Sequence, residues 1–95
     1  MTELDIRCAP TDSGDGWMCD VAVTEEGGTA TRHRVHVAAA DLERLDPGAP
    51  SPYLLVDDSF RFLLARERPS SILRSFDLME IARYFPEFEA EVRRR

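Results

Sequence analysis

Ninety-five residues, 43% of them hydrophobic, make one domain with a single modest core, burying roughly 60–65% of the unfolded surface. Eighteen acids against twelve cations leave a net charge of −6, which argues against a broad nucleic-acid surface, because phosphate contacts rest on clustered cations. No apolar run approaches the roughly 18 residues of a membrane span, and "MTELDIRC" lacks the basic-then-apolar order of a signal peptide. The expectation is a cytoplasmic protein with no membrane partner.

All twelve cations are Arg, and Lys, Asn and Gln are absent. That usage points to a GC-rich coding sequence, so the arginine content need not reflect recognition. Residues 1–50 hold ten acids and four Arg, and residues 51–95 hold eight of each. Any anion-friendly surface is therefore expected in the second half.

Residues 1–38 read as three strands. "LDIRCAP" alternates with Leu4, Ile6 and Cys8 on one side and Asp5 and Arg7 on the other. "TDSGDG" is turn chemistry. "WMCDVAV" groups Trp17, Cys19, Val21 and Val23, and after "EEGG" the run "TRHRVHV" groups Thr31, His33, Val35 and Val37. A one-residue slip would turn every side chain over, so parity fixes the register. Paired numbers summing to 27 set Leu4 against Val23, Ile6 against Val21 and Cys8 against Cys19. A sum of 54 for the second hairpin requires a three-residue loop, Glu26-Gly27-Gly28, with Gly28 left-handed.

Residues 39–50 read as a short helical turn and a linker. Leu42 and Leu45 lie on the turn, Pro47-Gly48 ends it, and "PGAPSP" leads into a helical half over 51–95. Ser51 is a candidate N-cap with Pro52 at the first helical position, and the helix runs to about Glu67. "SSILRSF" reads as a short helix or turn. Asp77 and Glu80 form a D-x-x-E capping pattern for "LMEIARYF", which Pro86 bends or breaks. In the last segment Glu87 pairs with Arg83, Glu89 with Arg93 and Glu91 with Arg95 at helical spacing.

The histidines, His33 and His36, both fall in "RHRVHV". Three apart on a strand, they point to opposite faces and cannot act as a pair. The outward set places Arg7 beside Asp20 and Asp20 beside Arg34, a ladder of opposite charges. That face offers no aromatic platform for stacking bases. Cys8, Cys19 and His33 share the inner face and could begin a zinc site, but C-x10-C-x13-H resembles no zinc ribbon and lacks a fourth ligand. Two buried free thiols are the simpler expectation, with a Cys8–Cys19 disulfide as a lesser alternative because cytosolic disulfides are rare. "DSGDG" lacks the alternate acids of a calcium loop and the Lys and helix of a phosphate loop. None of the serines sits in a nucleophile elbow. No enzyme and no cofactor are expected.

On the long helix Tyr53, Val56, Phe60, Leu63 and Leu64 form a stripe that covers the sheet, while Leu55 and Phe62 lie nearly opposite. Either the C-terminal residues Ile81, Tyr84, Phe85, Phe88 and Val92 cover that second strip, or a second copy does. Leu55 and Phe62 are the candidate interaction residues. "SSILRSFDLMEIARYF" with Arg93-Arg94-Arg95 also admits a helix-turn-helix DNA-binding regulator, against which stand Glu80, Glu87, Glu89 and Glu91.

"SFRFLLARERPSSILRSFDLMEIARYFPEF", preceded by "HRVHVAAADLERL", resembles small single-domain proteins of high-GC bacteria. They share a Ser-Phe, Phe-Leu-Leu, Arg-Glu, Ile-Leu, Phe-Asp-Leu and Arg-Tyr-Phe-Pro-Glu pattern. The resemblance spans roughly residues 33–89 and implies a natural single-domain family with no activity attached. The expected fold is α+β: a three-stranded antiparallel β-meander followed by two or three helices packed on one face. The expected function is a small interaction or accessory module with an unidentified protein partner, self-associating as a homodimer. The alternatives are the DNA-binding regulator and a zinc-bearing domain built on Cys8, Cys19 and His33.

Overall fold

Odd–even alternation over the first forty residues produces the sheet. In the computed structural model, which describes residues 2–93, β1 (Glu3–Pro10), β2 (Gly16–Thr24) and β3 (Ala30–Ala38) run antiparallel in chain order. Leu4 faces Val23, Ile6 faces Val21 and Cys8 faces Cys19. In the second hairpin Cys19 faces Val35 and Trp17 faces Val37. Both registers are those that parity requires. The three-residue loop is present as well: Glu25 N–H donates to Thr29 O at 2.8 Å and Gly28 N–H to Glu25 O at 3.0 Å. Gly27 is left-handed along with Gly28, at φ 92° and 87°, a backbone that side chains resist.

The inner face of the sheet supplies Ile6, Cys19, Val21, Val23, Val35 and Val37 to the core. After β3 come α1 (Ala39–Leu45) and α2 (Tyr53–Leu64), a 3-10 turn at Pro69–Ser71, a fourth strand β4 (Ser75–Asp77), α3 (Glu80–Tyr84) and α4 (Phe88–Val92). The α+β class is as expected, but the sheet is four-stranded and mixed. β4 lies parallel to β3, with Phe76 opposite Val35, where a short helix or turn was predicted for "SSILRSF". Arg34 N–H donates to Arg74 O at 2.7 Å and Leu78 N–H to His36 O at 2.9 Å. The open edge of β3 takes up this stretch, and a parallel partner needs the crossover that α1 and α2 provide. The helical half therefore contributes a strand to the sheet of the first half.

The helix ends depart from the predicted ones by a few residues. Pro52 is the cap of α2, and Ser51 Oγ accepts only from Tyr53 N–H, at 3.3 Å. The helix stops at Leu64, where Arg66 N–H tightens onto Leu63 O at 2.9 Å. Asp77 ends β4 and accepts Met79 N–H through Oδ2 at 3.0 Å, while Glu80 turns to Arg83 instead of closing a capping box. The helix-spaced ion pairs of the last segment are replaced by tertiary ones. Arg66 reaches Glu87 at 3.5 Å and Glu91 at 3.9 Å, and Arg44 holds Glu89 together with Asp41. At five residues α4 is too short for local pairs to prevail, and its carboxylates meet arginines from α1 and the end of α2. The predicted partner Arg95 lies outside the described residues.

α2 is buried along a broad arc. Val56, Phe60 and Leu63 face inward as expected, but Tyr53 is exposed and Leu64 only half-buried. Leu55 is fully buried and Phe62 nearly so. Phe62 packs edge-on against Phe85 and Phe88, with ring centroids 5.7 and 5.3 Å away. The strip taken as a candidate interaction surface is thus inside the molecule: α4 packs on α2, Phe85 and Phe88 cover Phe62, and Leu55 and Phe62 are both buried within one chain.

Candidate interaction surface

β3 separates the two imidazoles, and each is engaged by its own surroundings. His33 is buried on the inner face against Phe60, with ring centroids 5.5 Å apart. Its Nδ1 lies 2.8 Å from Leu73 O, an acceptor, so Nδ1 carries the proton and donates. Nε2, 2.8 Å from Thr31 Oγ1, then accepts the hydroxyl proton. Both nitrogens are occupied.

His36 is on the outer face with a carboxylate toward each nitrogen: Nδ1 is 2.9 Å from Asp77 Oδ1 and Nε2 is 3.6 Å from Asp15 Oδ1. The hydrogen bond to Asp77 raises its pKa above the usual imidazole value, and burial opposes the rise in part. Asp15 is held below the usual carboxylate range by the hydroxyls of Thr11, at 2.6 Å, and Ser13, at 3.0 Å. "TDSGDG" therefore forms a hairpin turn whose carboxylate faces His36, and the imidazole clasps β4 to that turn. Among the described residues the ring's hydrogen-bond and ion-pair partners are Asp77 and Asp15.

Cys8 and Cys19 are joined as a disulfide, with Cα atoms 4.0 Å apart, so the expectation of two free thiols is overturned. The register explains it: the two sit directly opposite at a non-hydrogen-bonded position, where cross-strand side chains come closest. The structure does not assemble Cys8, Cys19 and His33 as ligands, since the sulfurs are bonded to each other and the imidazole to Thr31 and Leu73. Among the described residues no three His, Cys, Asp or Glu side chains group as metal ligands.

On the outer face Arg34 Nε lies 3.4 Å from Asp20, as the expected ladder requires. Arg7 lies opposite Asp20 in the register, as expected, and its ion pair is with Asp5 of its own strand, at 3.9 Å. Arg32 and Arg74 join these residues around an open trough. Three of its four arginines belong to the first half of the chain, and Asp5 and Asp20 lie among them. The trough's described lining includes the His33 ring and no Phe, Tyr or Trp.

The C-terminal helices offer little to a DNA groove. α3 and α4 have five residues each, about 7.5 Å of helix. Phe88 and Val92 bury one face of α4, and its carboxylates are held by Arg44 and Arg66. Of the three terminal arginines only Arg93 lies within the described residues.

A different apolar surface is open. Leu63, Ile72, Phe76, Ile81 and Phe85 line a groove of about 100 Å³ between the end of α2, β4 and α3. Leu73 and Tyr84 also line it and are 51% and 69% exposed. Tyr84 was expected to cover α2; it points into water instead. Glu67 and Glu80 complete the lining. Helical periodicity could not reveal this groove, because its walls come from a helix end, an irregular turn and a three-residue strand.

No protein-family model matches the chain, and no curated protein or solved structure matches it. No described helix is long and apolar enough to cross a membrane.

Proposed function

We propose that the chain is a protein-interaction module that docks a partner segment in the Leu73/Tyr84 groove. One observation carries this: two large apolar side chains, each half or more in water, flank an apolar floor. Single exposed apolar residues are ordinary, but a pair of them lining one concavity marks a place where a partner removes surface from water. A volume of about 100 Å³ fits one aliphatic or small aromatic anchor. Glu67 has no ion-pair partner among the described residues, and Glu80 is shared with Arg83. The favoured occupant is therefore an amphipathic segment with one apolar anchor and a basic residue beside it. No reaction is assigned, because His33, His36 and the cysteines are each committed to bonds within the fold.

The test uses a photocrosslinking phenylalanine analogue at position 84, in cells that make the protein. The expected result is a discrete adduct that disappears when Leu73→Asp is added to the same chain. No adduct, or the same adducts with and without Leu73→Asp, would refute the proposal.

A further inference from the structure

We propose that the open edge of β1 pairs antiparallel with β1 of a second copy, in the register that sets Ile6 opposite Ile6. This extends the interaction-module proposal to a surface that the Leu73/Tyr84 groove does not include, so the two can fail separately.

β1 is one end of the sheet and eight residues long; β4, at the other end, has three. Neighbouring residues of a strand turn their backbone groups to opposite sides. Thr11 N–H donates to Gly16 O, which, with the β1–β2 register, puts the N–H and C=O of Asp5, Arg7 and Ala9 toward β2. Those of Leu4, Ile6 and Cys8 point away from the sheet, and no other described backbone group takes them up. Pro10, which has no N–H, also falls on the open side, where it takes no bond from β2.

An edge like this is a template for pairing unless a bulge or repelling charges blunt it. Pairing with β2 is unbroken from Glu3 to Pro10, so β1 carries no bulge. Its charges select a partner. Two copies must match even-numbered residues with even-numbered ones, because these carry the open groups. A sum of 10 sets Asp5 against Asp5, and a sum of 14 sets Arg7 against Arg7. Both fall at non-hydrogen-bonded positions, where like charges are closest and most unfavourable. A sum of 12 sets Asp5 against Arg7 at both crossings, places Ile6 on the twofold axis and pairs Leu4 with Cys8 on either side. Six backbone hydrogen bonds close the junction.

Both faces of the sheet stay consistent across it. Leu4, half-buried in one chain, and Ile6 extend the apolar side. On the outer side the row runs Arg34, Asp20, Arg7 and then Asp5 of the second copy, alternating in sign. Within one chain Arg7 and Asp5 are 82% and 67% exposed and only 3.9 Å apart along the strand, so neither is committed elsewhere. The assembly is an isologous twofold dimer with a continuous eight-stranded sheet.

Sedimentation equilibrium tests this. The natural chain is expected to dimerise, and Asp5→Arg and Arg7→Asp each to weaken association roughly tenfold or more by placing like charges at both crossings. An equimolar mixture of the two single variants restores the dimer, because each arginine at position 5 or 7 of one chain then faces an aspartate of the other. The double exchange Asp5→Arg/Arg7→Asp restores it as well. Circular dichroism checks that these exposed substitutions leave the fold intact. A natural chain that stays monomeric at millimolar concentration, single variants that associate as tightly as it does, or a mixture that stays monomeric would overturn the proposal.

Discussion

His36 Nδ1 lies 2.9 Å from Asp77 Oδ1, joining the outer side of β3 to β4, the strand that the second half of the chain contributes. Because Asp77 raises the pKa of His36 in the folded chain, the clasp makes stability depend on pH. A group whose folded pKa is raised stabilises fully below its unfolded value, near 6.5, and loses that contribution as pH rises through the folded value. The pair is partly solvated, so the contribution is about 0.5–1 kcal/mol. Denaturation of the natural chain and of His36→Gln should differ by that amount at about pH 5.5, and the gap should close as pH rises through the raised folded value. A gap that widens with rising pH would reverse the sign.

The Cys8–Cys19 bridge closes a short loop across the first hairpin. In the chain-entropy treatment, a loop of this size stabilises by about 2–3 kcal/mol. Urea denaturation with and without reductant should differ by that amount, and Cys8→Ala/Cys19→Ala should be indifferent to reductant. Thiol titration of the natural chain unfolded in denaturant without reductant should find no free sulfur. Two reactive thiols would contradict the bridge.

Phe62 is a core residue, packed edge-on between Phe85 and Phe88. Phe62→Ala should cost about 3–5 kcal/mol, the range for emptying a buried aromatic site. If Phe62 were a subunit contact, the loss would appear in association and leave the stability of the single chain nearly unchanged. Denaturation and sedimentation on the same sample separate the two outcomes.

Arg66 holds the third layer in place. Its guanidinium lies 3.6 Å from the Phe62 ring centroid, donates to Phe62 O at 3.0 Å and reaches Glu87 and Glu91. A lysine cannot stack flat and donate in several directions at once. Arg66→Lys should therefore lose about 1–2 kcal/mol, and amide exchange should speed up first in α4.

The sheet registers were legible because each depends on local parity and loop length, which Ile6, Val21 and Val35 display directly. The separation of His33 from His36 followed from the same periodicity. The Cys8–Cys19 contact was legible as a juxtaposition, but its oxidation was not, since a buried thiol and a bridged one pack alike. β4 was illegible because three residues carry no period and its pairing is decided by the open edge of β3. The partners of Arg44 and Arg66 are set by packing between elements, and spacing along one helix pointed elsewhere. Leu55 and Phe62 were rightly seen as needing a third layer, but one sequence could not choose between its own C-terminal residues and another copy. Leu73 and Tyr84 escaped for the complementary reason: they look like core residues, and only the geometry leaves them in water.

Amide hydrogen exchange along β1, followed by NMR at two protein concentrations, most directly tests whether this sheet is built to pair. The amides of Asp5 and Arg7, which face β2, should be protected at both concentrations. Those of Leu4, Ile6 and Cys8 should exchange fast in dilute solution and slow markedly in concentrated solution, as a second β1 takes up the open edge. Equal protection of odd and even residues, or even-numbered amides that exchange fast at every concentration, would contradict it.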